Sequence, residues 1–251
     1  MGNIDGFLVD YDENYNPTIK SPNSLYPLQF YQTRESFVDI DHYKKFIDNA
    51  VSRFRHSRTY KNYKSYIMSL GMDKCQLMPA ISEELLMDDE DDKNHKNKRR
   101  KITLEMHHNF LTIWDIALMI SEHVLNTRGF ISTFDLVHLL KEEHKNNRIP
   151  LVMLSKTAHQ MFHNNKEFMI PANMCFGFWQ ELLMKYNKGI TPEIANKVNM
   201  FIQRSLEVYN QNEDFTNNLL ALRQNILGWS EWNQYGQQMQ ISGITYDMEE
   251  N

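Results

Sequence analysis

Cysteine is scarce in this chain: Cys75 and Cys175 are the only two among 251 residues. Two cysteines make no disulfide framework and fit a reducing compartment. Long apolar runs are also missing. No stretch approaches the roughly 18 consecutive apolar residues that a membrane span needs, so no membrane partner is expected. The opening residues, MGNIDGFLVD, lack the basic start and apolar run of a secretory signal. They also lack Ser or Thr at the position that accompanies N-myristoylation. These absences predict an intracellular, cytoplasmic protein. A basic excess is absent too: 27 Lys and Arg face 32 Asp and Glu, a formal net charge of −5. A simple basic nucleic-acid binder carries the opposite sign, so any such role requires a local patch. No internal repeat is visible. What remains is ordinary for a folded chain, with 41% apolar and 24% charged residues. The length suits one large domain or a core with appended helices.

The pattern along the chain predicts an α+β protein, mostly helical. Residues 1–40 are polar and aromatic, are interrupted by Pro17, Pro22 and Pro27, and read as an irregular N-terminal arm. Residues 41–86 read as a helical segment. Tyr43, Phe46, Ile47, Ala50, Val51 and Phe54 recur at spacings of three and four, and a second helix runs from Tyr60 to Leu70 and closes at Gly71. CQLMPAIS, residues 75–82, is a possible short strand, with Pro79 confining it to an edge. Residues 87–101, MDDEDDKNHKNKRRK, form a charge-blocked linker. ITLEMHH alternates like a strand. Two helices follow within 110–147, each opened by a capping-box pair, Thr112 with Asp115 and Ser132 with Asp135. PLVML reads as a buried strand, Ser155 as an N-cap, and KTAHQMFHNN as a short helix. Residues 167–232 read as three more helices, and 233–251 as a polar, loose tail.

The histidines carry the chemical signal. His107 and His108 end the alternating strand, and His159 and His163 lie four apart, on one face of the short helix. A zinc protease also uses H-x-x-x-H, but it needs Glu directly after the first His as base. Gln160 stands there, so that reading is set aside. His42, His56, His95, His123, His138 and His144 read as ordinary surface residues of helices and loops.

LEMHHN and PLVMLSKTAHQMFHNNK resemble the two conserved pieces of the HNH (ββα-metal, His-Me finger) endonucleases. Those pieces are a strand ending in His-His, and a second strand leading into a helix that carries H-x-x-x-H. The resemblance implies an antiparallel hairpin plus helix over residues 102–166, with the 110–147 helices as an insertion. It implies that His107, His159 and His163 hold one divalent ion (Zn, Mg, Mn or Ni), that His108 is the general base, and that Glu105 supports the site. It further implies a metal-dependent DNA endonuclease that hydrolyses phosphodiester bonds and leaves 3′-hydroxyl and 5′-phosphate ends. Three neutral imidazoles leave a coordination position open for a phosphate oxygen, and an imidazole with a natural pKa near 6.5 suits a base at neutral pH. Modules of this kind are frequent in bacteriophages, which would place the protein in the host cytoplasm. One departure from the family is Pro150, at the position of its central Asn or His; Asn146 and Asn147 lie a few residues earlier.

Two readings follow. In the first the chain is an HNH nuclease acting on DNA. Phosphates would meet Arg53, Arg55, Arg58, Lys61 and Lys64, interleaved with Phe54, Tyr60, Tyr63 and Tyr66, and also Lys98, Arg99, Arg100, Lys101 and Lys156. In the second it is a catalytically lapsed scaffold of the same type, an accessory or assembly protein of a phage machine. It would contact another protein through the 1–40 arm or the C-terminal helices.

Overall fold

Helical spacing becomes helix where the chain begins to bury apolar surface. The computed structural model describes residues 31–77, 104–164, 170–208 and 213–247, together with strands between residues 3 and 29. Among the described residues the protein is mostly helical with small antiparallel strand pairings, an α+β fold.

The N-terminal segment, expected to be irregular, instead holds a four-stranded antiparallel meander. Its strands are β1 (Asn3–Ile4), β2 (Phe7–Tyr11), β3 (Pro17–Lys20) and β4 (Pro27–Gln29). Pro17 and Pro27 stand at strand starts, where proline is tolerated; they punctuate the sheet rather than preclude it. β5 (Gln32–Thr33) then pairs with β7 (Phe130–Ile131).

Helix α1 (Ile40–His56) buries Phe46, Ile47, Ala50, Val51 and Phe54, and Asp39 caps it by accepting from the His42 N–H. Ser57 ends α1 and caps α2 (Arg58–Ser69), its hydroxyl accepting from the Tyr60 N–H. Gly71 follows at φ +95°, a left-handed position that glycine occupies without strain. The two predicted capping boxes are present. They open α3 (Ile113–Arg128) and α4 (Thr133–Lys145), and Gly129 closes α3 at φ +86°.

β6 (Leu104–His108) pairs antiparallel with β8 (Leu151–Ser155), in a register that sets His107 opposite Val152 and His108 opposite Leu151. Ser155 caps α5 (Lys156–Asn164) by accepting from the Ala158 N–H. The outer edge of β8 is closed by two separate segments. Leu151 exchanges backbone hydrogen bonds with Phe176. Met153 bonds Gln76 both ways, accepting from its N–H at 2.9 Å and donating to its side-chain Oε1 at 2.7 Å. Both edges are thus satisfied, and Leu151 to Leu154 are fully buried.

Three sequence expectations need correction. Residues 75–77 make no strand, because Gln76 meets Met153 with its backbone N–H and its side-chain oxygen in place of a backbone ladder; 78–82 lie outside the described residues, as does the 87–101 linker. The first of the three C-terminal helices is short. ANMCFGF runs as a strap beside β8, with Gly177 at φ +102°, and α6 spans only Trp179–Lys185. Helix α7 (Pro192–Val208) follows, and α8 (Glu213–Asp247) continues through most of the expected loose tail. No helix among the described residues is long and apolar enough to cross a membrane.

Buried charges tie the helices together. Asp115, 2% exposed, completes the α3 capping box and accepts from Lys197 of α7 at 2.7 Å. Fully buried Glu143 on α4 accepts from Arg148 at 3.0 Å, Lys185 at 2.5 Å and the Tyr186 hydroxyl at 2.8 Å. Arg34 donates to Glu122 on α3 at 2.7 Å. Such pairs cost desolvation but fix which faces meet.

Candidate functional site

Strand parity sorts the residues of LEMHH onto two faces. Leu104, Met106 and His108 share one, Glu105 and His107 the other. Helix α5 packs on the hairpin and brings His159 to the Glu105–His107 face. The His107 and His159 rings meet edge to face with centroids 4.8 Å apart. Glu105 Oε2 lies 2.5 Å from His159 Nδ1, and Phe162 of α5 closes on His107 with ring centroids 4.4 Å apart. A carboxylate on one imidazole nitrogen fixes the tautomer and ring orientation and leaves the other nitrogen to face outward as a lone-pair donor. His163 lies one turn beyond His159 on α5; its side chain is outside the described residues.

His108 is placed elsewhere. It points through the opposite face of the hairpin into a cluster of aromatic rings, 8% exposed. Tyr60 of α2 stacks on it, with centroids 6.4 Å apart and planes within 8°, and the His144 ring of α4 lies 5.8 Å away. His108 Nε2 is buried with no hydrogen-bond partner. Burial, reinforced by the nearby His144, His107 and Arg55, holds its pKa well below the usual histidine value. The neutral ring is thus a packed core group. A base acting on a metal-side water must lie within hydrogen-bond reach of that water, and the hairpin stands between. The general-base role that the resemblance implies for His108 does not match this geometry, because pairing with Leu151 carries the strand through His108 and keeps its ring on the face opposite His107.

The sequence predicts a surface position for His144, whereas the ring is fully buried. Its Nδ1 bonds the Leu140 carbonyl at 2.7 Å, and Phe54, Tyr60 and Tyr63 surround it, with centroids 4.5, 5.9 and 5.1 Å away. Burial pushes its pKa down to about 4, against the opposing Leu140 carbonyl and Glu143 charge. The signal was available: 136, 140 and 144 are successive turns of one stripe, and Leu136 and Leu140 are its apolar members. His123, also read as surface, is half-buried against Tyr186. His42, His56 and His138 are exposed as expected.

Two imidazoles and a carboxylate are donors that a zinc-like ion accepts. Among the described residues, however, no group of three or more His, Cys, Asp or Glu converges to hold a metal ion. The third imidazole of the expected set belongs to His163. The central position of the motif is also spent on structure. The Pro150 carbonyl accepts from the Asn109 N–H at 3.0 Å, Asn146 bonds the Glu142 carbonyl, and Asn147 pairs with the Tyr63 and Tyr66 hydroxyls.

Of the expected phosphate contacts, Arg53, Arg55 and Arg58 are exposed at the junction of α1 and α2, and Lys156 is exposed at the first turn of α5. Lys64 is committed to the Leu104 carbonyl and ties α2 to β6. Lys98, Arg99, Arg100 and Lys101 lie outside the described residues.

No curated protein and no solved structure matches the chain. The sequence profile of the bacteriophage G278-like virion proteins matches residues 3–231, and the chain belongs to that phage virion protein family.

Proposed function

We propose that the protein is a structural or accessory component of the phage particle, built on a hairpin-and-helix core whose histidine cluster braces the fold and does not cut DNA. The family supports a role in the particle, since its match covers most of the chain. The observation that carries the choice against catalysis is the burial of His108 between Tyr60 and His144, on the face away from His107 and His159. A nuclease of the HNH kind needs that imidazole beside the attacking water. Here Glu105, His107 and His159 tie β6 to α5, and with His163 they would hold one divalent ion. That ion would add a cross-link between strand and helix.

The nuclease reading is favoured by one observation, the approach of His107 to His159, and a single experiment separates the two. The purified full-length protein and His108→Ala are incubated with supercoiled plasmid in Mg, Mn, Ni or Zn, and metal content is read by mass spectrometry. The scaffold reading expects no nicking under any metal. Nicking by the wild type that disappears in His108→Ala with metal content retained would sink it. In parallel, gradient-purified phage particles are expected to contain the protein in stoichiometric amount; particles lacking it would remove the structural role.

A further inference from the structure

The corner where α1 meets α2 concentrates positive charge on a chain that is negative as a whole. Arg53 and Arg55 occupy the last turn of α1, Arg58 is the first residue of α2, and Lys61 lies one turn further. One residue, Ser57, separates the helices, and all four cations are exposed. Among the described residues none of the four pairs with a carboxylate, although the chain carries an excess of acids. Along α2, exposed Arg58, Lys61, Asn62 and Ser65 follow the spacing of one helical face, so neutral donors extend the charged row.

The ordinary explanation covers half of this. Cations at a helix C-terminus complement its dipole, which accounts for Arg53 and Arg55. It does not account for Arg58, a cation at the positive end of α2, whose first turn holds no acidic residue. There the dipole and the neighbouring cations both oppose it, and no carboxylate among the described residues pairs with it. Ser57 caps only the Tyr60 N–H. The remaining first-turn N–H groups and the guanidinium groups are thus left at one corner, the donor set that binds phosphate oxygens.

We infer that the α1–α2 corner is a docking surface for the sugar-phosphate backbone of duplex DNA, contacted by Arg53, Arg55, Arg58 and Lys61. The choice of DNA as the polyanion rests on the virion reading; the surface itself rests on the charge arrangement. The contact is to phosphates and carries no sequence preference.

The test is fluorescence anisotropy of the full-length protein on a labelled duplex of arbitrary sequence. No divalent metal is added and the duplex is checked to be intact after each titration, so the result is independent of the nicking assay. Four neutralised phosphates predict a log–log salt slope of about −3.6, roughly a 150-fold loss of affinity between about 50 and 200 mM salt. Arg53→Gln/Arg55→Gln/Arg58→Gln/Lys61→Gln, with its fold checked by circular dichroism, is expected to lose that dependence. Arg58→Gln alone should flatten the slope by about 0.9. Lys44→Gln/Lys45→Gln, which removes exposed cations nearer the other end of α1, should leave the slope unchanged. Salt-independent or undetectable binding overturns the inference, as does a quadruple variant that keeps the wild-type slope or a control that loses as much. Equal affinity for a polyglutamate peptide overturns DNA as the partner and assigns the corner to an acidic protein.

Discussion

Acidification between about pH 7.5 and 4 should destabilise this protein through His144. The ring is fully buried, and its folded pKa of about 4 lies below the ordinary histidine value of 6.5. A group that is easier to protonate in the unfolded chain gives stability that is fully present above the unfolded pKa. That stability drains as pH falls towards the folded pKa, because the unfolded state then binds more protons. With these two values the loss is about 2 kcal/mol by pH 5 and about 3 kcal/mol by pH 4. His108 shifts in the same direction and steepens the fall. Above about pH 5 carboxylates contribute little, so the window isolates the imidazoles. The assay is urea unfolding followed by far-UV circular dichroism at a series of pH values, on the wild type and His144→Leu. The variant starts from a different stability but should lose about 2 kcal/mol less than the wild type between about pH 7.5 and 5. Parallel curves for the two proteins would refute the assignment of His144 as a buried neutral ring.

Four substitutions probe the packing. Gly177→Ala puts a Cβ 2.4 Å from the Ile149 carbonyl oxygen at a backbone φ of +102°, and is expected to cost about 3 kcal/mol in urea unfolding. Glu143→Ala leaves Arg148 and Lys185 without their buried carboxylate; a loss of about 3 kcal/mol is expected, with Tm falling accordingly. Thr112→Ala removes one half of the α3 capping box and should cost about 1 kcal/mol. Asp115→Ala also strands Lys197, so thermal melts should rank it clearly the more damaging of the two.

Local signals in the sequence placed most helices and the strands that flank the insertion, because capping boxes, apolar stripes and an alternating strand are all short-range; the pairing of those two strands came from the family resemblance. Thr112 and Asp115 lie three residues apart and meet whatever the rest of the chain does. The misses are long-range. Nothing near ANMCFGF announces that Phe176 will pair with Leu151, or that Gly177 will sit against the Ile149 carbonyl. Nothing near Gln76 announces that its side chain will bond a strand 77 residues away. The segment read as helix is apolar enough for either fate, and tertiary contact decides.

The same distinction governs the two adjacent histidines. Sequence similarity places both at one site, because motif matching counts residues and not faces. A β-strand turns successive side chains to opposite sides, so neighbours share a site only where the strand has ended. Pairing of His108 with Leu151, and the Asn109–Pro150 hydrogen bond just beyond, hold the chain extended through both positions. His107 therefore faces α5, and His108 faces α2 and α4. The helices that fill the insertion supply His144, one wall of the cluster that encloses His108. The insertion that lengthens the motif thus also encloses the residue a nuclease would need at the surface. The residue that the resemblance matches to a base is here an aromatic packing element that burial keeps neutral.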